Sequence, residues 1–472
     1  MKKTISKTLL ALAIAGMACS QLHAEDSAAE STINEQQLEQ VADQIATAAA
    51  PEITDPNETL EQLIEDFKSS PLGQSFSSNP QIFFGVGQAT VMVSPESREW
   101  GNARVMAYKE ATLKAQAEYI RFLGMSITSE SLSRLFEDRS QTPRFDEADL
   151  RSATRLGELL DKAVAVAGGK LDQQLQEMGI DPDEFRAAPR TKRAEIFSRS
   201  VSSTTIVRGR QEITGIVPVK TFEAYDAQGN HVVAVAVVAS PNFRQFVHDI
   251  VQSKGDIAAK PDKALSMPLR DYLRANPAAL LDDFGIRRMY DEHGYPVLVS
   301  FGQASNPYRG NDFQRRSDNR ELAFSAARAE SFANFANLFN ATGMVTEATT
   351  LTAQRSTEEV ATADRMQVTL STETSDEIAR KINNEIATRG RVDNLVGTRE
   401  LFRWSQKHPM HGHDIHGVVY VWHPLAEQQA HQLRNFKPAP TTNAGQQQAE
   451  KPRSTGQAGS HQSRDLMSAD DF

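Results

Sequence analysis

Two stretches of sequence decide the fold, IFFGVGQA at residues 82–89 and VLVSFGQA at residues 297–304. Both are apolar runs that end in Gly-Gln-Ala, and a short apolar run between polar segments indicates a buried strand. Each is followed by a polar connection that contains a proline, and then by an alanine-rich helix, predicted at about 102–123 and 319–342. Alanines spaced by three to four residues share one helix face, which lets the helix lie close against a sheet. The sequence therefore predicts the same strand and helix twice.

Further motifs recur after these helices in the same order. Gly124 and Gly343, each followed by methionine, are predicted to close the helices, because glycine past a helix end adopts the left-handed conformation. Arg-Gly-Arg then recurs at residues 208–210 and 389–391. In each copy two β-rich runs around a turn predict a β-hairpin, with strands at 213–225 and 232–239 in the first copy and at 395–404 and 418–422 in the second. We interpret the pattern as a tandem duplication.

The predicted fold class is α+β, with two repeated modules that each consist of an alanine-rich helix packed on a small antiparallel sheet, with helical inserts. The predicted organisation of the chain has several parts. These are a signal peptide at 1–24, a helical or poorly ordered segment at 25–79, a first module at 80–245 with an insert at 126–203, a linker at 246–284, a second module at 285–428 with an insert at 345–386, and a disordered polar tail at 429–472.

The composition limits the classes of function. The 472 residues include 51 basic and 61 acidic side chains, a net charge of −10, and such an acidic chain offers no broad surface for nucleic acid. The single cysteine, Cys19, excludes a disulfide framework and a cysteine-based zinc site. Beyond the N-terminus no run of about 18 apolar residues is present, so no membrane-spanning segment is expected.

The N-terminus carries a predicted bacterial secretory signal. Three lysines precede an apolar run at residues 9–18, which is too short to span a bilayer, and the small residue Ala24 precedes the acidic Glu25. We expect cleavage near Ala24 and a periplasmic or secreted protein of a Gram-negative bacterium. The alternative is a lipoprotein signal, in which the protein is anchored by an acylated Cys19. A mature chain without cysteine suits an oxidising compartment.

Histidines near the C-terminus are candidate metal ligands. Five of the eleven lie between residues 408 and 423, and the four proposed ligands are His408, His411, His413 and His416. His411 and His413 would share one face of a strand, and imidazole binds zinc or copper well. The competing interpretation is that these histidines fill an enlarged, exposed hairpin turn and bind no cofactor.

The repeated Arg-Gly-Arg motifs supply candidate residues for binding an anion or a partner: Arg208, Arg210, Arg389 and Arg391. On a strand the two arginines of each motif would lie on one face, and paired guanidinium groups bind carboxylate or phosphate by forked hydrogen bonds. Alternatively, they pair with nearby acidic side chains or protect an edge strand from aggregation. No motif of a nucleophile, a phosphate loop or a metalloprotease is present, so no catalytic residue is predicted.

A family resemblance follows from the order of the elements. A strand that ends in Gly-x-Ala, an alanine-rich helix and the hairpin ITGIVPVKTF…DAQGNHVVAVAVV at 213–238 resemble the envelope domain of the small Lpp-twenty-type outer-membrane lipoproteins and of the flagellar assembly protein FlgT. The resemblance covers 80–125 and 204–245, with a fainter echo at 295–344 and 387–425. It implies a module for binding and assembly in the envelope, with no catalytic residues to carry over.

The function expected from the sequence is therefore that of a non-enzymatic envelope protein. It would serve as a binding or assembly module of an envelope, secretion, flagellar or adhesion apparatus. Its expected partners are other envelope proteins, peptidoglycan or the outer membrane, and a second copy of the chain. The alternative is a periplasmic metal-binding protein that uses the 408–423 histidines, and a third hypothesis is a hydrolase without a known motif.

Overall fold

The computed structural model describes residues 55–136, 150, 152–165, 170–350, 372–388, 396–410 and 412–434. The predicted signal peptide and residues 435–472 of the predicted tail lie outside this part of the chain, as do His411, Arg389 and Arg391. The described part is an α+β fold with two small antiparallel sheets, each packed against a long alanine-rich helix. The predicted fold class is thereby confirmed. None of the helices in these ranges combines the length and the hydropathy that a bilayer span requires.

The first module is built around a three-stranded sheet. Its elements are α1 (Pro56–Ser69), α2 (Pro71–Ser77), β1 (Phe83–Thr90), α3 (Trp100–Leu135), α4 (Ala153–Ala165), α5 (Lys170–Glu177), α6 (Pro182–Ala187), α7 (Arg190–Glu212), β2 (Ile216–Tyr225), β3 (His231–Ala239) and α8 (Pro241–Ser253). The strands lie in the order β1–β3–β2, and both neighbouring pairs are antiparallel. The alanine-rich helix is α3, and α4 to α7 belong to the insert before the hairpin.

The second module repeats this order and adds one edge strand. Its elements are α9 (Leu269–Arg274), β4 (Gly285–Tyr290), β5 (Pro296–Ser305), α10 (Phe313–Thr350), α11 (Thr372–Thr388), β6 (Thr398–Lys407), β7 (Asp414–Trp422) and α12 (Pro424–Arg434). The strand order is β4–β5–β7–β6, in which β5, β7 and β6 correspond to β1, β3 and β2. In both modules a helix that begins at a proline, α8 or α12, follows the central strand.

The glycine of each Gly-Gln-Ala motif lets the strand approach the alanine-rich helix. A Cβ atom on Gly87 would overlap the backbone carbonyl oxygen of Ala111, and one on Gly302 would overlap that of Ala327. Any larger residue would push strand and helix apart, so glycine is required for this close approach. In both modules the glycine of this motif meets the backbone of an alanine in the alanine-rich helix, which supports the duplication.

The hairpins share an irregularity as well. The register of β2 against β3 shifts between Pro218 and Lys220, and that of β6 against β7 shifts between Glu400 and Phe402. In each module the shift lies just beyond the central-strand residue that pairs with the close-packed glycine. Bulges at equivalent positions are features of a family's backbone rather than accidents. They are a second structural sign of the repeat.

The predicted helix ends at Gly124 and Gly343 are wrong. Both glycines lie inside helices, because α3 and α10 continue past them, and neither has a positive φ. Beyond Gly124, α3 still presents buried residues such as Ile127 and Leu132 to the core of the first module. Burying such side chains stabilises the continued helix by about 1.5–3 kcal/mol each, which outweighs the benefit of a glycine cap.

The faces of the sheets opposite the alanine-rich helices are also covered. Leu60 and Ile64 of α1 pack on the first sheet, within the segment 25–79 that is predicted to be helical or poorly ordered. Leu269 and Leu280 pack on the second sheet. These two leucines belong to the segment predicted as a linker, 246–284, which is therefore partly packed structure. The three prolines at 261, 268 and 277 favour a linker, but apolar residues recur between them and some of these residues cover the sheet.

Candidate functional site

A buried ion pair lies where the two modules meet. Arg104 extends from the start of α3, and its Nε donates to both carboxylate oxygens of Glu223 on β2 at 2.9 Å. Its Nη2 also donates to Glu223 and, at 2.8 Å, to the carbonyl oxygen of Leu281. The side chain of Arg104 is fully buried and that of Glu223 is 6% exposed. Such a two-pronged arrangement fixes both side chains in position.

The carboxylate of Glu223 has further donors from both modules. The hydroxyl group of Tyr108, one turn after Arg104, donates to it at 3.0 Å. His231 Nε2, at the start of β3, lies 2.6 Å from Glu223 Oε1, a close contact without the geometry of a hydrogen bond. His408 Nε2, from the β6–β7 turn of the second module, lies 2.8 Å from the same oxygen. One carboxylate of the first module thus binds a histidine of the second. We call Arg104, Tyr108, Glu223, His231, Gln303 and His408 the polar centre.

Gln303, the glutamine of the second Gly-Gln-Ala motif, joins the centre from the other side. Its Oε1 accepts from Arg104 Nη1 at 3.2 Å, and its Nε2 donates to the carbonyl oxygens of Leu280 and Asp283, each at 2.9 Å. The equivalent residue of the first module, Gln88, is exposed. The Gly-Gln-Ala motif therefore lies near the end of a strand in both modules, but its glutamine contacts the polar centre only in the second module.

The electrostatics of the centre keep its charges fixed near neutral pH. Burial alone would raise the pKa of Glu223, but the Arg104 guanidinium and the imidazoles of His231 and His408 outweigh it and hold that pKa well below its usual range. Burial would lower the pKa of Arg104, and the Glu223 carboxylate reverses this, so the net shift is upward. Burial and Glu223 together raise the pKa of Tyr108. Glu223 is thus the anion and Arg104 the cation of a buried ion pair.

His408 is a neutral hydrogen-bond donor to that anion. Burial lowers its pKa, an effect that exceeds the opposing influence of Glu223. Its Nδ1 accepts the backbone N–H of Met410 at 3.1 Å, which places the proton on Nε2 and directs it at Glu223. Both ring nitrogens are therefore engaged. A metal ion would have to replace one of these two hydrogen bonds.

His413 attaches the same turn to the first module. Its Nε2 lies 2.5 Å from the carbonyl oxygen of Pro95, and Arg309 Nη2 lies 2.8 Å from its Nδ1. Its ring stacks on Trp100 of α3 at a centroid distance of 4.6 Å. The interpretation that these histidines fill an exposed turn is wrong for the described ones, since His408 and His413 are each 3% exposed and His416 is 5% exposed. The reason is that the turn docks into the first module.

The other histidines of this region have separate partners. His416 Nδ1 lies 2.7 Å from the hydroxyl oxygen of Ser405. His423 Nε2 lies 3.0 Å from Asp291, and its Nδ1 accepts the N–H of Leu425 in the first turn of α12. Within the described residues no three histidine, aspartate, glutamate or cysteine side chains are arranged to hold a metal ion. His411, the remaining proposed ligand, is not among those residues.

The Arg-Gly-Arg motif of the first copy lies on a helix rather than on a strand. Arg208 and Arg210 belong to the final turns of α7, which continues to Glu212. Arg208 pairs with Glu130 at 3.4 Å, and both side chains are well exposed. The prediction that the two arginines lie on one face of a strand is therefore wrong for the first copy. Gly209 packs against Ile120 and Ile382, and this burial keeps the segment helical.

Sequence reasoning missed the polar centre, although one signal was available. Arg104 and Tyr108 precede Ala111 and Ala115 at helical spacing, so a charged residue occupies the small-residue face of α3. A charge on a face that packs against a sheet requires a buried partner. That signal indicates a buried arginine but does not identify Glu223 as its partner.

Comparisons with known proteins extend the description only a little. A family model described as a domain of unknown function, DUF6844, matches residues 156–252, from α4 to α8. The crystal structure of a hypothetical protein from Francisella tularensis, FTT1539c, is similar at 20% sequence identity, over 79% of this chain and 92% of that chain, with a TM-score of 0.49. No curated protein matches the chain.

Proposed function

We propose that this protein is a non-enzymatic binding and assembly module of the bacterial cell envelope, within a secretion, flagellar or adhesion apparatus. In this proposal its partners are other envelope proteins, peptidoglycan or the outer membrane. The polar centre holds the two modules in one fixed arrangement, so that surfaces from both are presented together. The predicted secretory signal at residues 1–24 and the resemblance to envelope domains support this location.

One observation carries the proposal: the polar centre is occupied by the protein's own groups. A general acid or base needs a pKa near the working pH and a position beside the reacting atom. Glu223 has a pKa held far below neutral, and Arg104, Tyr108 and His408 donate to its carboxylate. This arrangement suits a structural junction better than a reaction centre.

Cell fractionation tests the location. The full chain and a chain lacking residues 1–24 are expressed in a Gram-negative host, and the mature N-terminus is identified by mass spectrometry. We expect the full chain in the periplasmic or outer-membrane fraction, beginning at Glu25, and the shortened chain in the cytoplasm. Lipid on Cys19 would support the anchored form of the same proposal. Retention of the full, uncleaved chain in the cytoplasm would contradict it.

Binding and turnover assays test the activity. The mature protein is sedimented with purified peptidoglycan sacculi and outer-membrane vesicles, and cross-linked to solubilised envelope proteins, with cytoplasmic protein as the control. We expect a saturable partner from the envelope material. The same protein and its Glu223→Gln variant are assayed on ester, amide, glycoside and phosphate-ester substrates. Turnover that depends on Glu223, or the absence of any envelope partner, would overturn the proposal.

A further inference from the structure

A cavity of about 470 Å³ lies between the two alanine-rich helices, and no described histidine lines it. One wall is a continuous stripe of α3, from Val105 to Gln116, and the facing wall is the stretch of α10 from Glu330 to Leu338. The end of α11 lines it as well. The volume lies within the range of ordinary small-molecule sites, about 300–1,000 Å³.

The floor of the cavity is apolar. It is formed where the edge strand β2 of the first sheet meets the edge strand β4 of the second, by Ile216, Pro218 and Ile286 with the ring of Phe284. Leu113 and Leu338 extend this surface up the two helices. A ligand with an apolar part would bury that part here, with about 25 cal/mol gained per Å² of apolar surface removed from water.

The helices add uncharged hydrogen-bonding groups. Residues with side-chain amides line the cavity on three different helices: Gln116 of α3, Asn334 and Asn337 of α10, and Asn383 and Asn384 of α11. The amide nitrogen of Asn334 already donates to Ser300 Oγ at 3.1 Å. Asn383 donates to Gln116 at 2.8 Å, which leaves the amide nitrogen of Gln116 and the amide oxygen of Asn383 as further polar groups. Amides offer donors and acceptors together, so they suit hydroxyl and amide groups of a ligand.

The charges along the cavity cancel. Of the described residues that line it, Lys109 and Glu330 carry charge, and they form an ion pair of 2.5 Å across the two helices. A ligand with a net charge would lose its hydration without gaining an unpaired partner, which is unfavourable. An uncharged ligand avoids this cost.

We propose that this cavity is a binding site for an uncharged amphiphile. Its apolar chain lies on the floor of Ile216, Phe284 and Ile286, and its hydroxyl or amide head contacts the side-chain amides of α10 and α11. The site goes beyond the proposed assembly function and does not depend on it, since the argument uses the cavity alone. Because both alanine-rich helices line the site, the ligand contacts both modules at once.

Calorimetry and thermal unfolding of the mature protein test the proposal with monodecanoylglycerol below its micelle concentration. Decanoate has the same chain with a charged head, and glycerol is the head alone. We expect saturable binding of monodecanoylglycerol at one site with a rise in Tm, binding of decanoate weaker by about tenfold or more, and none of glycerol. Failure of monodecanoylglycerol to bind would overturn the proposal, and equal binding of decanoate would overturn its uncharged character.

Two variants locate the site. Ala333→Phe places a ring in the cavity, and Ala329→Phe places the same ring on the exposed face of the same helix. We expect Ala333→Phe to abolish binding and Ala329→Phe to leave it unchanged. Asn337→Leu removes an exposed amide of the rim and should weaken binding about tenfold, which corresponds to a lost hydrogen bond. If Ala333→Phe folds and binds as well as the unmodified protein, the ligand lies elsewhere and the proposal fails.

Discussion

Replacing Glu223 by glutamine is the change that most directly perturbs the junction of the two modules. Glutamine keeps the shape of the side chain but removes the negative charge, and its amide group directs N–H donors at a site already filled with donors. Arg104 is fully buried and would lose its paired anion. Asp282 Oδ1, the next carboxylate, lies 4.0 Å from Arg104 Nη2 and its side chain is 57% exposed, so it compensates little.

The size of the effect follows from these contacts. Removing one partner of a buried ion pair costs about 3–5 kcal/mol, because the other charge is left uncompensated in a medium of low polarity. Tyr108 and His408 would also lose an anionic acceptor, which places the loss for Glu223→Gln in the upper part of that range. Since domains are stable by about 5–15 kcal/mol, the variant should fold but unfold at much lower urea concentration.

A double-mutant cycle separates the pair from its surroundings. Arg104→Met and Glu223→Met are made singly and together, and the free energy of unfolding is measured by urea titration with tryptophan fluorescence. We expect the double variant to cost about 2–3 kcal/mol less than the sum of the single variants, because no charge is left unpaired. Glu65→Gln is the matched control, since its ion pair with Lys68 is exposed and should contribute under about 1 kcal/mol.

The reasoning would be refuted by a simple pattern. If Glu223→Gln lowers the free energy of unfolding by less than about 1 kcal/mol, as expected of a surface pair, the carboxylate does not stabilise the buried arginine. Additive costs in the cycle would show that Arg104 and Glu223 act independently. Either result would remove the Arg104–Glu223 ion pair as the stabilising core of the polar centre.

Further predictions concern pH, packing and metal. The pKa of His408 is lowered in the folded state, so the unfolded chain binds this proton first, and the free energy of unfolding falls as pH drops below about 6.5. The variant His408→Gln should flatten this fall between about pH 6.5 and 5, by up to about 1.4 kcal/mol per pH unit. An unchanged slope of the free energy of unfolding against pH would contradict this. Burial raises the pKa of Asp282 to about 6, but Asp282 titrates in both proteins, so its contribution cancels in the difference. Gly87→Ala and Gly302→Ala should each lower the free energy of unfolding in urea titrations by about 1–3 kcal/mol, because the added Cβ meets a helix carbonyl oxygen. A loss of stability in only one of the two variants would disprove the equivalence of the two glycines. Micromolar zinc or copper should leave Tm unchanged, since both ring nitrogens of His408 are engaged, and a rise in Tm lost in His413→Asn would show that metal binds there.

The repeat could be predicted from the sequence because its signals are local. The apolar runs at 82–89 and 297–304, the alanines after them and the turn at 226–230 each set their own backbone conformation, and β1, α3 and the first hairpin follow those signals. The glycine caps failed for a non-local reason. Gly124 sits where burial of the following residues on α3 outweighs the local tendency to end the helix.

The polar centre could not be predicted in the same way. Arg104 and Glu223 are 119 residues apart in the chain, and Gln303 belongs to the other module, so no spacing in the sequence brings them together. The histidine turn illustrates the same limit. Its composition is typical of an exposed loop, and His408 and His413 become buried only because the second module docks on Glu223 and Trp100 of the first.

Native-state hydrogen exchange tests most directly whether the polar centre joins the modules into one cooperative unit. The amides of Val235 on β3 and Val418 on β7 lie at equivalent places on the two central strands. We predict equal free energies of opening for these amides, and an equal fall of about 3–5 kcal/mol at both in Glu223→Gln, because loss of the junction destabilises the whole unit. A fall at Val235 with no change at Val418 would show that the modules open independently and would contradict the account.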